Sequence, residues 1–110
     1  PKRTYQRTQP LIFSNTNLSI SVIHVSNDNL QILETSKKFA FIKLENISNQ
    51  KIEKVFFRSI ALLEENGALL FDLQKYQHHF IEEMIKNHSL YDFSDLEMNE
   101  NTFFWNKKLK

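Results

Sequence analysis

The 110-residue sequence contains no cysteine, one glycine and two prolines. Without cysteine, disulfide bonds, thiol catalysis and cysteine-ligated zinc are excluded. Its one glycine, Gly67, is too few for a glycine-rich phosphate-binding loop, a dinucleotide fingerprint or the elbow of a serine hydrolase. Apolar runs are also short: none approaches the ~18–20 residues of a membrane-spanning helix. We therefore expect no integral membrane segment in this chain.

The composition is typical of a globular protein, with 41% hydrophobic residues, 25% charged residues and ten phenylalanines. Aromatic side chains bury on the order of 150–250 Å² each, so the chain can form a sizeable core. The length fits one domain spanning residues 1–110. Its polar, basic start, residues 1–10, is predicted to be a flexible arm.

Alternation of apolar and polar residues predicts strands in the first half of the chain. In residues 17–28, Leu18, Ile20, Val22 and His24 fall on one face of a strand. A short strand is predicted at residues 30–33, after the turn-forming residues that follow Val25. Residues 38–48 and 52–63 are apolar on both faces, which is typical of central strands.

The dipeptide Asn66–Gly67 lies between apolar runs, the strongest short-range signal for a β-hairpin. As the two loop residues of a type I′ turn, both would need positive φ. This register pairs Glu65 with Ala68 and Leu63 with Leu70. We therefore predict a hairpin, in this form or with a slightly longer loop.

After Asp72 the apolar residues recur every three or four positions, which predicts an amphipathic helix over about residues 73–87. Asp72 is its expected N-cap, and Glu82 and Lys86 are expected to form an ion pair. Residues 89–101 predict a short strand or irregular cover, and residues 102–110 a strand with a basic tail. The predicted fold is therefore α+β and β-rich: an antiparallel sheet, sandwich or barrel of five to seven strands with one amphipathic helix packed on it. The expected apolar face of that helix consists of Leu73, Tyr76, Phe80, Met84 and Ile85, with Ile81 at its border.

Charge is distributed unevenly along the chain. Nine acidic residues against two basic ones lie between Glu64 and Glu100, whereas six basic residues against two acidic ones lie between Lys37 and Arg58. Such separation favours a protein partner or self-association of basic on acidic faces. Alternatively, the basic stretch, with its phenylalanines at 39, 41, 56 and 57, could bind single-stranded nucleic acid by stacking bases. The candidate contact residues are Lys37, Lys38, Lys43, Lys51, Lys54 and Arg58.

The histidines and carboxylates do not form a motif that predicts catalysis. His78 and His79 lack the i,i+4 spacing of zinc hydrolases, although His78–Glu82 or His79–Glu83 could provide two metal ligands on a helix. Carboxylates also cluster at Asp92, Asp95, Glu97 and Glu100, but apolar residues interrupt them and a calcium loop's glycine is missing. We therefore expect no enzyme activity, no cofactor and no metal. His24 is expected to be a strand-end or half-buried histidine rather than a ligand.

Residues 39–70 resemble bacterial immunoglobulin-like FxLYD-type β-sandwich domains. Asn46 and Ser48 take the positions of the first turn, Val55 the hydrophobic step, and Asn66–Gly67 the second reversal. The resemblance implies a non-catalytic module of a bacterial membrane or envelope-associated protein, and it assigns no active-site residues. The leading hypothesis is thus a protein-interaction or assembly module. The alternatives are a single-stranded nucleic-acid-binding domain and, from the basic start at residues 1–7, a soluble sensor domain of a membrane protein.

Overall fold

A computed structural model describes residues 21–86 and 88–110. The predicted arm, residues 1–10, and residues 17–20 of the strand predicted at residues 17–28 lie outside the described residues. The described chain is α+β, as predicted. In chain order its elements are β1 (Val22–Val25), a 3₁₀ helix (Asn27–Glu34), β2 (Phe39–Leu44), α1 (Ile52–Leu62), β3 (Leu63–Asp72), α2 (Gln77–Lys86), β4 (Glu97–Met98) and β5 (Thr102–Asn106).

The described strands form one five-stranded sheet in the order β1-β2-β3-β5-β4. The number of strands agrees with the prediction, but the predicted antiparallel arrangement is wrong. β1 with β2 and β2 with β3 are parallel, whereas β5 is antiparallel to both β3 and β4. A parallel pair needs a crossover connection, and the 3₁₀ helix and α1 supply the two crossovers. The sheet stays open, so it is neither a sandwich nor a barrel.

One face of the sheet carries the core. Alternate residues are buried along β1 and β5, along β2 from Ile42 and along β3 from Gly67. The strands predicted within residues 17–28, 38–48 and 102–110 are confirmed as β1, β2 and β5 in the described part of the chain. From α1, the fully buried Phe56 packs edge-on against Phe103 with 5.4 Å between ring centroids. The helices and the sheet therefore share a single core. Its residues from the sheet include Ile23, Val25, Ile42, Leu44, Leu69, Phe71, Phe103 and Trp105.

The strand predicted at residues 52–63 is wrong, because residues 52–62 form helix α1. Five of its six buried residues, Ile52, Val55, Phe56, Ser59 and Ile60, are spaced i, i+3, i+4, i+7 and i+8; the sixth is Leu62 at its end. This is the period of a helix with one buried face. The same residues also fit a strand that is apolar on both faces. Because β-branched residues and phenylalanine are common in strands, the sequence favoured a strand over a helix here.

The predicted hairpin at Asn66–Gly67 is also wrong. Residues 63–72 form one continuous strand, β3, which lies between β2 and β5. Asn66 has a positive φ of 67°, but Gly67 does not. The register with β2 passes from Phe39–Leu63 directly to Phe41–Ala68, so residues 64–67 form a bulge rather than a turn.

The remaining helices differ from the prediction in number and in bounds. Residues 30–33, predicted as a strand, belong to the 3₁₀ helix, whose N-cap is Ser26. The helix predicted at about 73–87 exists as α2 but begins at Gln77, since Tyr76 has a positive φ of 70° and Asp72 belongs to β3. Gln77 is fully buried and joins α2 to the preceding loops by hydrogen bonds to Ile47 O (2.7 Å) and Asn49 Oδ1 (2.9 Å).

The buried face of α2 is rotated from the one predicted. Ile81, expected at the border, is fully buried, whereas Phe80 is 45% exposed. Gln77 takes the central buried position one turn earlier. Lys86 pairs with Glu83 at 3.4 Å rather than with Glu82. Phe80 and its carboxylate neighbour Glu83 are therefore available at the surface.

Candidate functional site

A groove runs between the 3₁₀ helix and α1, and it collects half of the predicted contact residues: Lys51, Lys54 and Arg58. Its volume is about 520 Å³. Leu33 and Val55 form a buried apolar floor, at 6% and 4% exposure, beside the half-buried Leu30. We call this feature the cationic groove. Its complete lining is Leu30, Gln31, Leu33, Glu34, Lys51, Lys54, Val55 and Arg58.

Hydrogen bonds fix both walls of the cationic groove. Ser26 accepts from the Asp28 amide at 3.3 Å, and its own amide donates to Asn29 Oδ1 at 2.6 Å, so the start of the 3₁₀ helix is capped. At the other end, the Arg58 guanidinium donates to Leu33 O at 2.7 Å and to Thr35 O at 2.8 Å. Arg58 thus holds the 3₁₀ helix against α1, and we assign it a structural role in forming the groove.

Lys51 and Lys54 are exposed at the start of α1. Within residues 21–86 and 88–110, neither lysine has a carboxylate within 4.0 Å. Residues 1–20 and 87 contain no aspartate or glutamate at all. Lys51 precedes the helix without making a side-chain cap. The groove therefore carries two lysines that make no ion pair within 4.0 Å among the described residues, although Glu34 also lines it.

The other predicted contact residues lie away from the groove. Lys43 pairs with Glu45 at 3.4 Å and with Asp72 at 3.7 Å. Lys37 lies over the Phe39 ring, 5.8 Å from its centroid. Lys38 donates to Ala61 O at 2.7 Å, at the end of α1. These three lysines are not brought together with Lys51 and Lys54.

Lys38 shares the carboxyl end of α1 with Lys107. The Lys107 ammonium donates to Ile60 O and Leu63 O, each at 2.9 Å. Burial, and then the charge of Lys38, lowers the pKa of Lys107 below its ordinary value of 10.5. Cations at this end of a helix stabilise its free carbonyls and its dipole. Both lysines therefore cap α1.

The aromatic residues of the predicted basic stretch do not form an exposed stacking platform. Phe39 is 8% exposed and Phe56 is fully buried. Phe57 is half-buried and stacks on His88, with 5.2 Å between ring centroids. Phe39 and Phe56 are therefore core residues that cannot stack on a nucleobase in this fold.

The histidines form pairs rather than a metal-binding cluster. His24 contacts Glu45 at 2.9 Å; it lies near the end of β1, and 55% of its side chain is accessible, so it is a strand-end histidine rather than a half-buried one. His79 Nδ1 lies 3.5 Å from Glu82 Oε1, a pair other than the His78–Glu82 and His79–Glu83 combinations considered as possible metal ligands. Among the residues that the structure describes, no three His, Asp or Glu side chains are grouped so as to hold a metal ion.

The acidic segment is tied to the C-terminal residues. Lys108 lies 3.6 Å from both Asp92 and Asp95. A hydrogen bond from the Ser94 side chain, with that from its amide, lowers the pKa of Asp92 below 3.8. The Trp105 indole donates to Asp92 O at 2.9 Å. Glu97, on β4, and Glu100 take no part in these contacts, so the four predicted carboxylates do not form one site.

The floor of the groove was not identified from the sequence. Leu30 and Leu33 are spaced i, i+3, which suits a helical turn, and Ser26 with Asn29 is a capping pair. These two signals could have identified the 3₁₀ helix, and with it the groove.

Comparison with protein-family models, with curated proteins and with solved structures finds no match in any of the three. The β-sandwich implied by the resemblance of residues 39–70 to FxLYD-type domains is not the fold observed, because that stretch contains α1. Within the described part of the chain, no helix is both long enough and apolar enough to span a bilayer.

Proposed function

We propose that this protein is a non-catalytic interaction module whose cationic groove binds an acidic segment of a partner protein. The observation that carries the proposal is the pair of cations, Lys51 and Lys54, that lies without carboxylate partners beside an apolar floor. Some described lysines, such as Lys43, Lys86 and Lys108, have carboxylates within 4.0 Å, whereas others, such as Lys37 and Lys75, do not. What distinguishes Lys51 and Lys54 is that they lie together beside the apolar floor of one groove.

The position of the two lysines on α1 supports a role other than stability. The start of a helix carries a partial positive charge, so cations there cost roughly 0.3–1 kcal/mol each rather than stabilise the helix. Lys51 precedes α1 and Lys54 lies in its first turn. An acidic partner would remove this repulsion, so the free protein is poised to bind an anion.

The groove suits a peptide segment that combines carboxylates with an apolar side chain. Its volume of about 520 Å³ is within the ~300–1,000 Å³ of binding pockets. Leu30, Leu33 and Val55 provide an apolar contact for one side chain, while the lysines attract and orient the carboxylates. The groove's polar side chains Glu34, Lys51 and Lys54 are exposed. They lack the adjacent base or the desolvation that activates a nucleophile. For this reason the function that we propose for the groove is binding and not catalysis.

The proposal is tested with a fluorescent peptide of alternating glutamate and leucine, measured by anisotropy. We expect binding that weakens as salt is raised and that is reduced about tenfold or more by Lys51→Glu/Lys54→Glu. The matched control is Lys37→Glu/Lys75→Glu, which changes the net charge equally at two exposed lysines outside the groove. It should retain most of the affinity.

Two outcomes would contradict the proposal. One is equal loss of peptide binding in the groove variant and in the control variant, which indicates nonspecific attraction. The other is that the wild-type protein binds single-stranded oligothymidine but not the peptide, and that Lys51→Glu/Lys54→Glu abolishes the binding of oligothymidine. That result would favour nucleic acid as the ligand of the groove.

A further inference from the structure

A second concave surface lies on the other side of α1, between α1 and α2. Its volume is about 380 Å³. Phe80, which is 45% exposed, and the half-buried Met84 provide its apolar part. Glu53 and Glu83 provide its charge, and Glu83 has 75% of its side chain exposed. We call this feature the acidic surface; its lining is completed by Asn49, Gln50 and Ile52.

The acidic surface and the cationic groove have opposite charge and the same mixed character. Each combines apolar side chains with an excess of one charge. The groove has three cations, Lys51, Lys54 and Arg58, against the single carboxylate of Glu34. The lining of the acidic surface has Glu53 and Glu83 and no cation. Within the described residues, Glu53 has no cation within 4.0 Å, and Glu83 has only Lys86, at 3.4 Å. The chain thus displays both halves of a complementary pair.

The two surfaces cannot meet within one molecule. α1 contributes Lys54 to the groove and Glu53 to the acidic surface. Consecutive helical residues point about 100° apart, so the surfaces lie on different sides of the same rigid helix. The charges can be matched only between separate molecules.

We propose that the cationic groove binds the acidic surface of a second copy of this chain. Phe80 of one copy packs on Leu30, Leu33 and Val55 of the next. Glu53 and Glu83 then face Lys51 and Lys54. The inference rests on the proposed function, since it names the partner of the same groove.

Because the two surfaces differ, the association is head-to-tail. Each bound pair leaves one groove and one acidic surface free, so assembly continues unless the rotation between copies closes a ring. An isologous dimer would instead use one surface twice. This difference provides a decisive experiment.

The experiment measures molar mass by sedimentation velocity, first on the wild-type chain and then on two variants. The wild-type mass should rise with protein concentration at low ionic strength and fall when salt is added. The groove variant Lys51→Gln/Lys54→Gln and the acidic-surface variant Glu53→Gln/Glu83→Gln should each raise the dissociation constant at least about tenfold. Uncharged glutamine is used because charge reversal on both sides would make the two mutant surfaces complementary to each other. An equimolar mixture of the two variants should form a complex of two chains and no larger species, because only one wild-type interface is left.

A third variant, Phe80→Ala, tests the apolar contact without changing charge, and circular dichroism confirms that each variant is folded. A monomeric wild-type chain, or a mixture of charge variants that remains monomeric, would overturn the inference. If the wild-type chain is monomeric but its groove still binds the glutamate–leucine peptide, the inference fails and the proposed function stands. If the groove binds neither peptide nor second copy, both fail.

Discussion

At the level of single residues, Asn66 and Gly67 serve the β3 bulge in different ways. Asn66 has the left-handed backbone conformation, which asparagine tolerates better than most residues. Gly67 lies within strand β3 without a positive φ, and glycine is needed there because a Cβ atom has too little room. A Cβ atom there would lie 2.8 Å from Glu64 O and 3.1 Å from Ala40 O on the neighbouring strand. The lone glycine therefore allows a close approach of backbones rather than a turn.

Gly67→Ala is expected to lower the free energy of unfolding by about 1–3 kcal/mol, because backbone atoms must move to admit the methyl group. Urea denaturation measures this change. The neighbouring substitution Asn66→Gly is the control, since glycine adopts positive φ without strain. It should leave stability nearly unchanged. The reverse order of the two effects would mean that backbone conformation, not space, selects Gly67.

At the level of elements, α1 depends on the two lysines that bind its terminal carbonyl groups. Lys38 reaches it from the residue before β2, and Lys107 from the residue after β5. Two distant parts of the chain thus stabilise the same helix end. Each lysine is expected to contribute to the free energy of unfolding at the low end of the range for charged hydrogen bonds, because both side chains retain solvent contact.

Lys107→Met should lower the free energy of unfolding by about 0.5–1 kcal/mol at neutral pH, whereas Lys75→Met, at an exposed lysine outside α1, should have little effect. The difference between wild type and Lys107→Met should also depend on pH. The pKa of Lys107 is lowered in the folded protein. As the pH rises towards 10.5, the unfolded chain therefore keeps the Lys107 proton more fully than the folded protein does. The free energy of unfolding contributed by this residue rises with pH in that range. Chemical denaturation at neutral and alkaline pH measures the difference. A difference that shrinks with rising pH would contradict the lowered pKa, and it would mean that the carbonyl groups at the end of α1 favour the charged ammonium more than burial disfavours it.

Elements with a single clear period were predictable from the sequence. Strand β1 shows alternation, β2 and β5 are short runs of apolar residues, and α2 shows a helical repeat, although the start of α2 and its buried face were not correctly predicted. α1 could not be assigned because its apolar residues satisfy both periods, and only packing against the sheet decides between them. The bulge in β3 could not be distinguished from a hairpin, because Asn–Gly suits both and the parallel partner β2 is distant in sequence.

The groove was predictable only in part, for the same reason. The basic stretch was visible, but Lys51, Lys54 and Arg58 come together because α1 is a helix, and Lys38 and Lys43 separate from them because β2 is a strand. Arg58 could not be recognised as structural, since its partners Leu33 O and Thr35 O are backbone atoms of a distant segment. Charge along the sequence indicated the region but not the geometry.

At the level of the whole molecule, the C-terminal residues hold the segment after α2 against the core. Asp92 N donates to Lys108 O at 2.8 Å, and Lys110 N donates to Leu90 O at 3.0 Å. Trp105, 1% exposed, packs on Phe93 with 4.4 Å between ring centroids. Residues 88–96 therefore depend for their position on the end of the chain.

A chain ending at Lys108 should lose amide protection selectively in residues 88–96, because the Tyr91–Leu109 bridge and the Lys110–Leu90 hydrogen bond are removed. Hydrogen exchange read by mass spectrometry localises the change. Leu109→Ala in the full chain is the control, since it retains the backbone pairing. Uniform loss of protection across β2 and α1 would show that these contacts stabilise the whole fold instead.

The position of β3 between β2 and β5 has a consequence for synthesis of the chain. β3 ends at Asp72 and β5 begins at Thr102, 30 residues later (102 − 72). At roughly 5–20 residues per second, a ribosome adds these residues in about 2–6 s. Once β1, β2, α1 and β3 have emerged, they can already pair in parallel, but the second edge of β3 then has no partner until β5 arrives. A nascent chain paused in this interval would therefore expose a hydrogen-bonding edge that the finished protein covers.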